Sequence, residues 1–178
     1  MGISRLNHAV LYVRDVDRSV AFYRDLLGFR VVMDRPGRAA FMQAPDSTND
    51  HDIGLFAIGD GAHDSPAGTT TVGLYHLGWE LRTLRELGEL AEVLGRAGAL
   101  VGATDHGTTK SIYARDPDGI EFEVAWLVPA DRLDDSHYEA RTRRGVPLDL
   151  PAEIARYGAD TRGGVGVSAP ATAGTTQS

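Results

Sequence analysis

The chain has 178 residues and no cysteine, and 18 Lys and Arg against 25 Asp and Glu give it a formal charge of −7. The missing cysteines exclude a disulfide framework, a cysteine nucleophile, thiolate zinc sites and iron–sulfur clusters, so any metal must be held by His, Asp or Glu. The acidic balance leaves no basic footprint for nucleic acid, and no apolar run reaches the roughly 18 residues that a membrane helix needs.

Near the start, Arg5, Asn7, His8, Arg14 and Asp15 interrupt any apolar stretch. The segment lacks the pattern of a signal peptide, and the protein is expected to be cytoplasmic. A buried strand is predicted over Asn7–Val13, with Ala9, Leu11 and Val13 on one side and His8, Val10 and Tyr12 on the other. Asp15 or Asp17 can cap a helix that runs to Leu27 and ends at Gly28. Three short strands follow at Phe29–Met33, Arg38–Gln43 and Asp52–Ile58, punctuated by Pro36-Gly37 and Pro45-Asp46-Ser47.

The same order then recurs. A strand at Tyr75–Leu81 leads to a helix at Leu84–Ala97, Gly98 follows, and strands are predicted at Leu100–Thr104, Lys110–Arg115 and Ile120–Leu127. His8 and His76 are offset by 68 residues, Gly28 and Gly98 by 70, and Leu55 and Glu123 by 68. Three anchors that agree within two residues make the chain a tandem repeat. The expected fold is α+β: two βαβββ modules, residues 3–59 and 74–128, form one domain over 1–128 with their sheets paired around a central cleft. Pro129 to Tyr157 is charged and irregular, with a short helix expected from Pro151 and docking residues Leu148, Leu150, Ile154 and Tyr157. An extension over 129–159 is therefore expected to dock on the domain. From 160 to 178 the chain is mostly small and polar, and a disordered tail is expected.

The repeat register matches His8 with His76 and Leu55 with Glu123. Two imidazoles and one carboxylate compose the facial triad that leaves coordination positions open on a divalent metal. On this register a leucine, where a fourth carboxylate would stand, keeps the set at three. His63 lies in the linker and His137 in a charged segment, and both are expected at the surface. The acidic residues of Asp116-Pro117-Asp118-Gly119 are expected to shape a turn rather than hold a metal.

Three motifs resemble the vicinal oxygen chelate superfamily. They are Leu6-Asn7-His8-Ala9-Val10-Leu11-Tyr12-Val13, Ala21-Phe22-Tyr23-Arg24-Asp25-Leu26-Leu27-Gly28-Phe29 and Ile112-Tyr113-Ala114-Arg115-Asp116-Pro117-Asp118-Gly119-Ile120-Glu121-Phe122-Glu123. The superfamily contains glyoxalase I, fosfomycin-resistance enzymes, bleomycin-binding proteins and type I extradiol dioxygenases. His51-Asp52-Ile53-Gly54, Asp105-His106-Gly107 and a tyrosine ten residues before Glu123 are similar to features of the extradiol branch, the catechol 2,3-dioxygenases. That resemblance implies His8, His76 and Glu123 as ligands of Fe(II), with Mn(II) as the alternative. It implies His51 as the acid–base and His106 and Tyr113 as substrate-orienting groups. A catechol-type ring and O2 are the implied substrates, and a homodimer is the expected assembly. The competing expectations are a metal-dependent lyase, isomerase or thiol transferase, and a non-enzymatic drug-binding protein on the same fold.

Overall fold

The computed structural model describes residues 1–67 and 70–168. Contacts divide the chain into two units, Met1–Tyr75 with Arg115–Ile120, and His76–Ala114 with the residues from Glu121 onward. Among the described residues the strands form two sheets, one of four strands and one of five.

In the first unit the elements are β1 (Ala9–Val13), α1 (Val16–Leu27), β2 (Arg30–Arg35), β3 (Ala39–Gln43) and β4 (Ile53–Ala57), with sheet order β1-β4-β3-β2. Asp15 caps α1 by accepting from the amides of Asp17 and Arg18. Gly28 ends it at φ 74°, a left-handed conformation that glycine adopts without a Cβ penalty. Leu11, Val13, Ile53, Leu55, Ala40 and Met42 are buried beneath α1, together with its own Val16 and Tyr23. Val10 and Tyr12 point to the opposite, exposed face of the same sheet.

The turn at 115–120 comes from the second repeat in sequence but clusters with this unit. Its acidic residues explain why. Asp118 accepts from Arg14 at 2.9 Å and Arg18 at 2.8 Å, and the Tyr23 hydroxyl donates to Asp116 at 3.3 Å. Asp116 also accepts the amides of Asp118 and Ile120, both at 2.9 Å. These carboxylates tie and shape a turn, as the sequence predicts.

The second unit carries β5 (Leu77–Glu80), α2 (Leu84–Arg96), β6 (Leu100–Asp105), β7 (Thr109–Arg115) and β8 (Glu121–Leu127). Thr83 and Glu86 close a capping box at the start of α2. Leu84, Leu87 and Leu94 of α2 are fully buried with Phe122, Val124 and Trp126 of β8, and each leucine contributes about 1.5–3 kcal/mol by that burial. The extension adds a 3₁₀ turn at Ala130–Arg132, α3 (Asp135–Arg141), β9 (Val146–Pro147) and α4 (Leu150–Tyr157). The sheet order is β5-β8-β7-β6-β9, so β9 extends the edge at β6. No helix among the described residues is long and apolar enough to cross a membrane.

Two expectations for the extension are corrected. His137 is not a surface residue. It is 3% exposed, and its ring nitrogens stand 2.7 Å from Asp134 Oδ1 and 2.6 Å from the Tyr157 hydroxyl. Residues 160–168 are not a loose tail. Trp126 Nε1 donates to the carbonyl of Thr161 at 3.1 Å, the Gly163 amide to Arg82 at 2.8 Å and the Val165 amide to Glu80 at 2.8 Å. A Cβ at Gly163 would collide with the Leu127 carbonyl, and one at Gly164 with the Glu80 carboxylate. The glycines here permit backbone to lie directly on the sheet, which composition alone presents as absence of structure. The remainder of the expected tail, 169–178, lies outside the described residues.

Candidate metal and substrate site

Alternation along β8 sorts its side chains. Phe122, Val124 and Trp126 turn under α2, and Glu121, Glu123 and Ala125 turn to the other face. β5 runs parallel to β8 with Gly78 opposite Glu123, so His76, two residues before Gly78, falls on the face of Glu123. The contact follows: His76 Nε2 stands 3.3 Å from Glu123 Oε2, with the side chains 27% and 20% exposed.

The second oxygen of Glu123 has a different partner. The Tyr113 hydroxyl, on β7, donates to Glu123 Oε1 at 3.2 Å. His106 sits in the turn between β6 and β7, and its Nε2 is 2.8 Å from the Tyr113 hydroxyl. Local bonds fix that turn. Asp105 accepts the Gly107 amide at 2.7 Å, and the His106 amide donates to the carbonyl of Thr109 at 2.9 Å. His76, Glu123, Tyr113 and His106 therefore form one connected polar row. They line one cavity of about 550 Å³. Its other walls include Leu127, Leu133, Tyr138 and Arg141.

In the first unit His8 immediately precedes β1, as His76 precedes β5. Its ring lies 4.4 Å from that of His51, and the Phe41 ring meets His51 edge-on at 5.0 Å. Asp50 Oδ2 stands 2.9 Å from His51 Nδ1. His51 Nε2 is buried with no hydrogen-bond partner among the described residues. A carboxylate that engages Nδ1 orients the ring and leaves Nε2 as the working nitrogen.

The pairing registers revise the fourth position. Val10 pairs with Gly54 where Gly78 pairs with Glu123, so the counterpart of Glu123 is Gly54 and not Leu55. Leu55 points into the core beneath α1 and is 0% exposed. Glycine supplies no ligand either, so no fourth carboxylate stands at that strand position. His51 and Leu55 face different ways, His51 toward His8 and Phe41 and Leu55 into the core. The Asp52 carboxylate accepts from the Ala44 backbone amide, the Ser47 hydroxyl and the Asn49 side-chain amide, and β4 begins only at Ile53.

The donor set suits a divalent ion in its local geometry. Donor atoms on adjacent positions around such an ion, each about 2.1 Å from it, stand about 3 Å apart. His76 Nε2 and Glu123 Oε2 meet that spacing at 3.3 Å. Within either unit, no three His, Asp or Glu side chains among the described residues gather at one point.

Sequence reasoning missed Lys110. It is 1% exposed, and its ammonium lies 2.6 Å from Asp105 and 2.9 Å from Glu153. This buried cation joins α4 to the turn that presents His106. Its signal was weak: a lysine at the start of an apolar strand, Lys110-Ser111-Ile112-Tyr113.

Two α+β units repeat one βαβββ order, each with a histidine ahead of its first strand, and the second carries a carboxylate on the matching face. The chain belongs to the Glyoxalase/Bleomycin resistance protein/Dioxygenase superfamily, whose family model matches residues 5–124. It is 29% identical over 119 residues to metapyrocatechase 2 of Cupriavidus necator, a match that covers 65% of this chain but only 34% of that protein. It is 31% identical over 144 residues to biphenyl-2,3-diol 1,2-dioxygenase 3 of Rhodococcus globerulus, covering 78% of this chain and 73% of that one. A metallothiol transferase of Staphylococcus saprophyticus matches at 28% identity over 74% of this chain and 83% of its own. Among solved structures, a glyoxylase/bleomycin resistance protein/dioxygenase domain from Frankia sp. EAN1pec has a TM-score of 0.62 at 25% identity, covering 77% of this chain and 99% of that one.

Proposed function

We propose that the protein is an extradiol ring-cleavage dioxygenase that uses a divalent metal, Fe(II) or Mn(II), O2 and a catechol-type aromatic substrate. The observation that carries this reading is the connected row His76–Glu123–Tyr113–His106 on the wall of one cavity. The proposed ligands are His8, His76 and Glu123, matched by the repeat. A metal held by them would supply the Lewis acidity and redox capacity that ring cleavage requires.

The chain's own groups then have distinct tasks. The Tyr113 hydroxyl is placed to bond a ring oxygen while it holds Glu123 in orientation. His106 fixes Tyr113 and bonds the same edge of the substrate. His51, with Nδ1 engaged by Asp50 and Nε2 buried, is the acid–base that holds or delivers a proton. The apolar wall at Leu127 and Leu133 excludes water from the ring.

The full chain, purified anaerobically and loaded with Fe(II), should turn a catechol yellow in air, with one ring opened per O2 consumed. His76→Ala should lower metal content well below one per chain. Full metal occupancy in that variant, or no ring opening by the loaded wild type, overturns the reading. The second reading is a thiol transferase on the same fold. Its support is that the metallothiol transferase relative is covered to 83% of its length, against 73% for biphenyl-2,3-diol 1,2-dioxygenase 3 and 34% for metapyrocatechase 2. Metal-dependent consumption of a thiol with an epoxide, and none of O2 with a catechol, would select it.

A further inference from the structure

The cavity wall is chemically mixed: it carries the polar row at Glu123 together with the apolar side chains of Leu127 and Leu133 and the ring of Tyr138. Arg141, at the end of α3, supplies a cation to the same wall. Its place follows from a glycine. A Cβ at Gly107 would lie 2.5 Å from the His137 carbonyl oxygen and 3.1 Å from the Arg141 amide nitrogen, so only glycine lets α3 sit this close to the turn that carries His106. Gly107 also has φ 82°, where other residues are strained.

The charges around Arg141 leave its guanidinium available. The nearby Glu139 is taken by Arg143 at 3.5 Å. Arg141 has no ion pair or side-chain hydrogen bond among the described residues. Glu123, the carboxylate of the cavity, is engaged by His76 and Tyr113. In a chain of net charge −7, an anionic ligand is repelled at long range and needs a local cation. A planar guanidinium recognises a carboxylate through two parallel N–H donors.

We infer that the cavity selects an aromatic vicinal diol whose ring substituent ends in a carboxylate, with Arg141 recognising that carboxylate while the diol faces Glu123. The inference rests on the ring-cleavage reading above and names the substrate class for it. Arg141 is exposed, so its replacement tests recognition without disturbing the core.

The test is equilibrium binding by calorimetry, without oxygen, on the full metal-loaded chain. The probes are 3,4-dihydroxyphenylacetate and 4-ethylcatechol, which share the diol and differ in the anion. The wild type should bind the acid about tenfold more tightly. Arg141→Gln should erase that preference by weakening the acid alone, Arg141→Lys should restore part of it, and 0.5 M salt should weaken the acid selectively. Equal affinity for the two rings in the wild type, or an Arg141→Gln chain that keeps the acid preference, overturns the inference and leaves the ring-cleavage reading standing. Failure of both rings to bind overturns the two together.

Discussion

His106 Nε2 and the Tyr113 hydroxyl are 2.8 Å apart, and their hydrogen bond has a defined direction. The tyrosine has one proton, and it goes to the Glu123 carboxylate at 3.2 Å. The hydroxyl oxygen must then accept from His106, so His106 carries its proton on Nε2. Any other acceptor that took the Tyr113 proton would remove a donor from Glu123 and re-aim the bond from His106 together. The three groups form one hydrogen-bonded unit.

His51 separates a proton-transfer role from a ligand role. His51→Phe should leave metal content intact and lower the ring-cleavage rate by about 10²–10⁴, the usual worth of a positioned acid–base. Metal analysis beside oxygen-uptake rates checks this. Loss of metal would make His51 a ligand, and an unchanged rate would leave its buried nitrogen without a catalytic task.

Removal of residues 160–178 should destabilise the protein. Trp126, which is 0% exposed, would lose the carbonyl that accepts from its indole nitrogen, a cost of about 1–3 kcal/mol. The Gly163 and Val165 amides lose their bonds to Arg82 and Glu80, whereas the exposed Arg85–Asp160 pair adds little. The thermal midpoint should fall by about 5–10 °C. An unchanged midpoint in a melting experiment would show that this segment does not hold to the sheet.

Lys110→Met leaves the half-buried carboxylates of Asp105 and Glu153 beside an apolar chain. Loss of one partner from a buried charge cluster costs about 3–5 kcal/mol, so the midpoint should drop by on the order of 10 °C. Asp105→Asn with Glu153→Gln in the same background should recover much of it, because the uncompensated charges are then gone. A double-mutant cycle on melting temperatures measures the coupling.

Asp134 should shape the acid limb of stability. Hydrogen bonds from the Ser136 hydroxyl and from His137 hold its carboxyl down to about 2. A carboxylate lowered by folding stabilises the native state above its unfolded value, and that contribution fades as pH falls from about 4 toward 2. The gap in melting temperature between wild type and Asp134→Ala should therefore be widest above pH 4 and narrow below it. A gap constant with pH would remove the carboxylate's charge from the account.

The legible part of the fold was what repeats or caps. Gly28 and Gly98, both at positive φ, mark helix ends in sequence as they do in space. The histidines ahead of β1 and β5 hold equivalent places because the strand that follows each fixes their direction. What failed was carrying one offset through the whole repeat. The 68 residues that separate His8 from His76 become 69 between Gly54 and Glu123, because the pairing sets Gly54 opposite Val10 and Glu123 opposite Gly78. His137 and Lys110 were illegible for a different reason. Their partners Tyr157 and Glu153 are contributed by α4, which lies further along the chain and has no periodic tie to either residue.

The glycines at 163 and 164 invert the ordinary meaning of a bland stretch. A position that tolerates any side chain and a position that tolerates none look alike when only one sequence is seen. Here a single methyl group at 163 meets the Leu127 carbonyl, and at 164 the Glu80 carboxylate. For anyone building fusions or shortened versions of this protein, the plainest-looking part of the described chain is among the least forgiving places to cut or decorate.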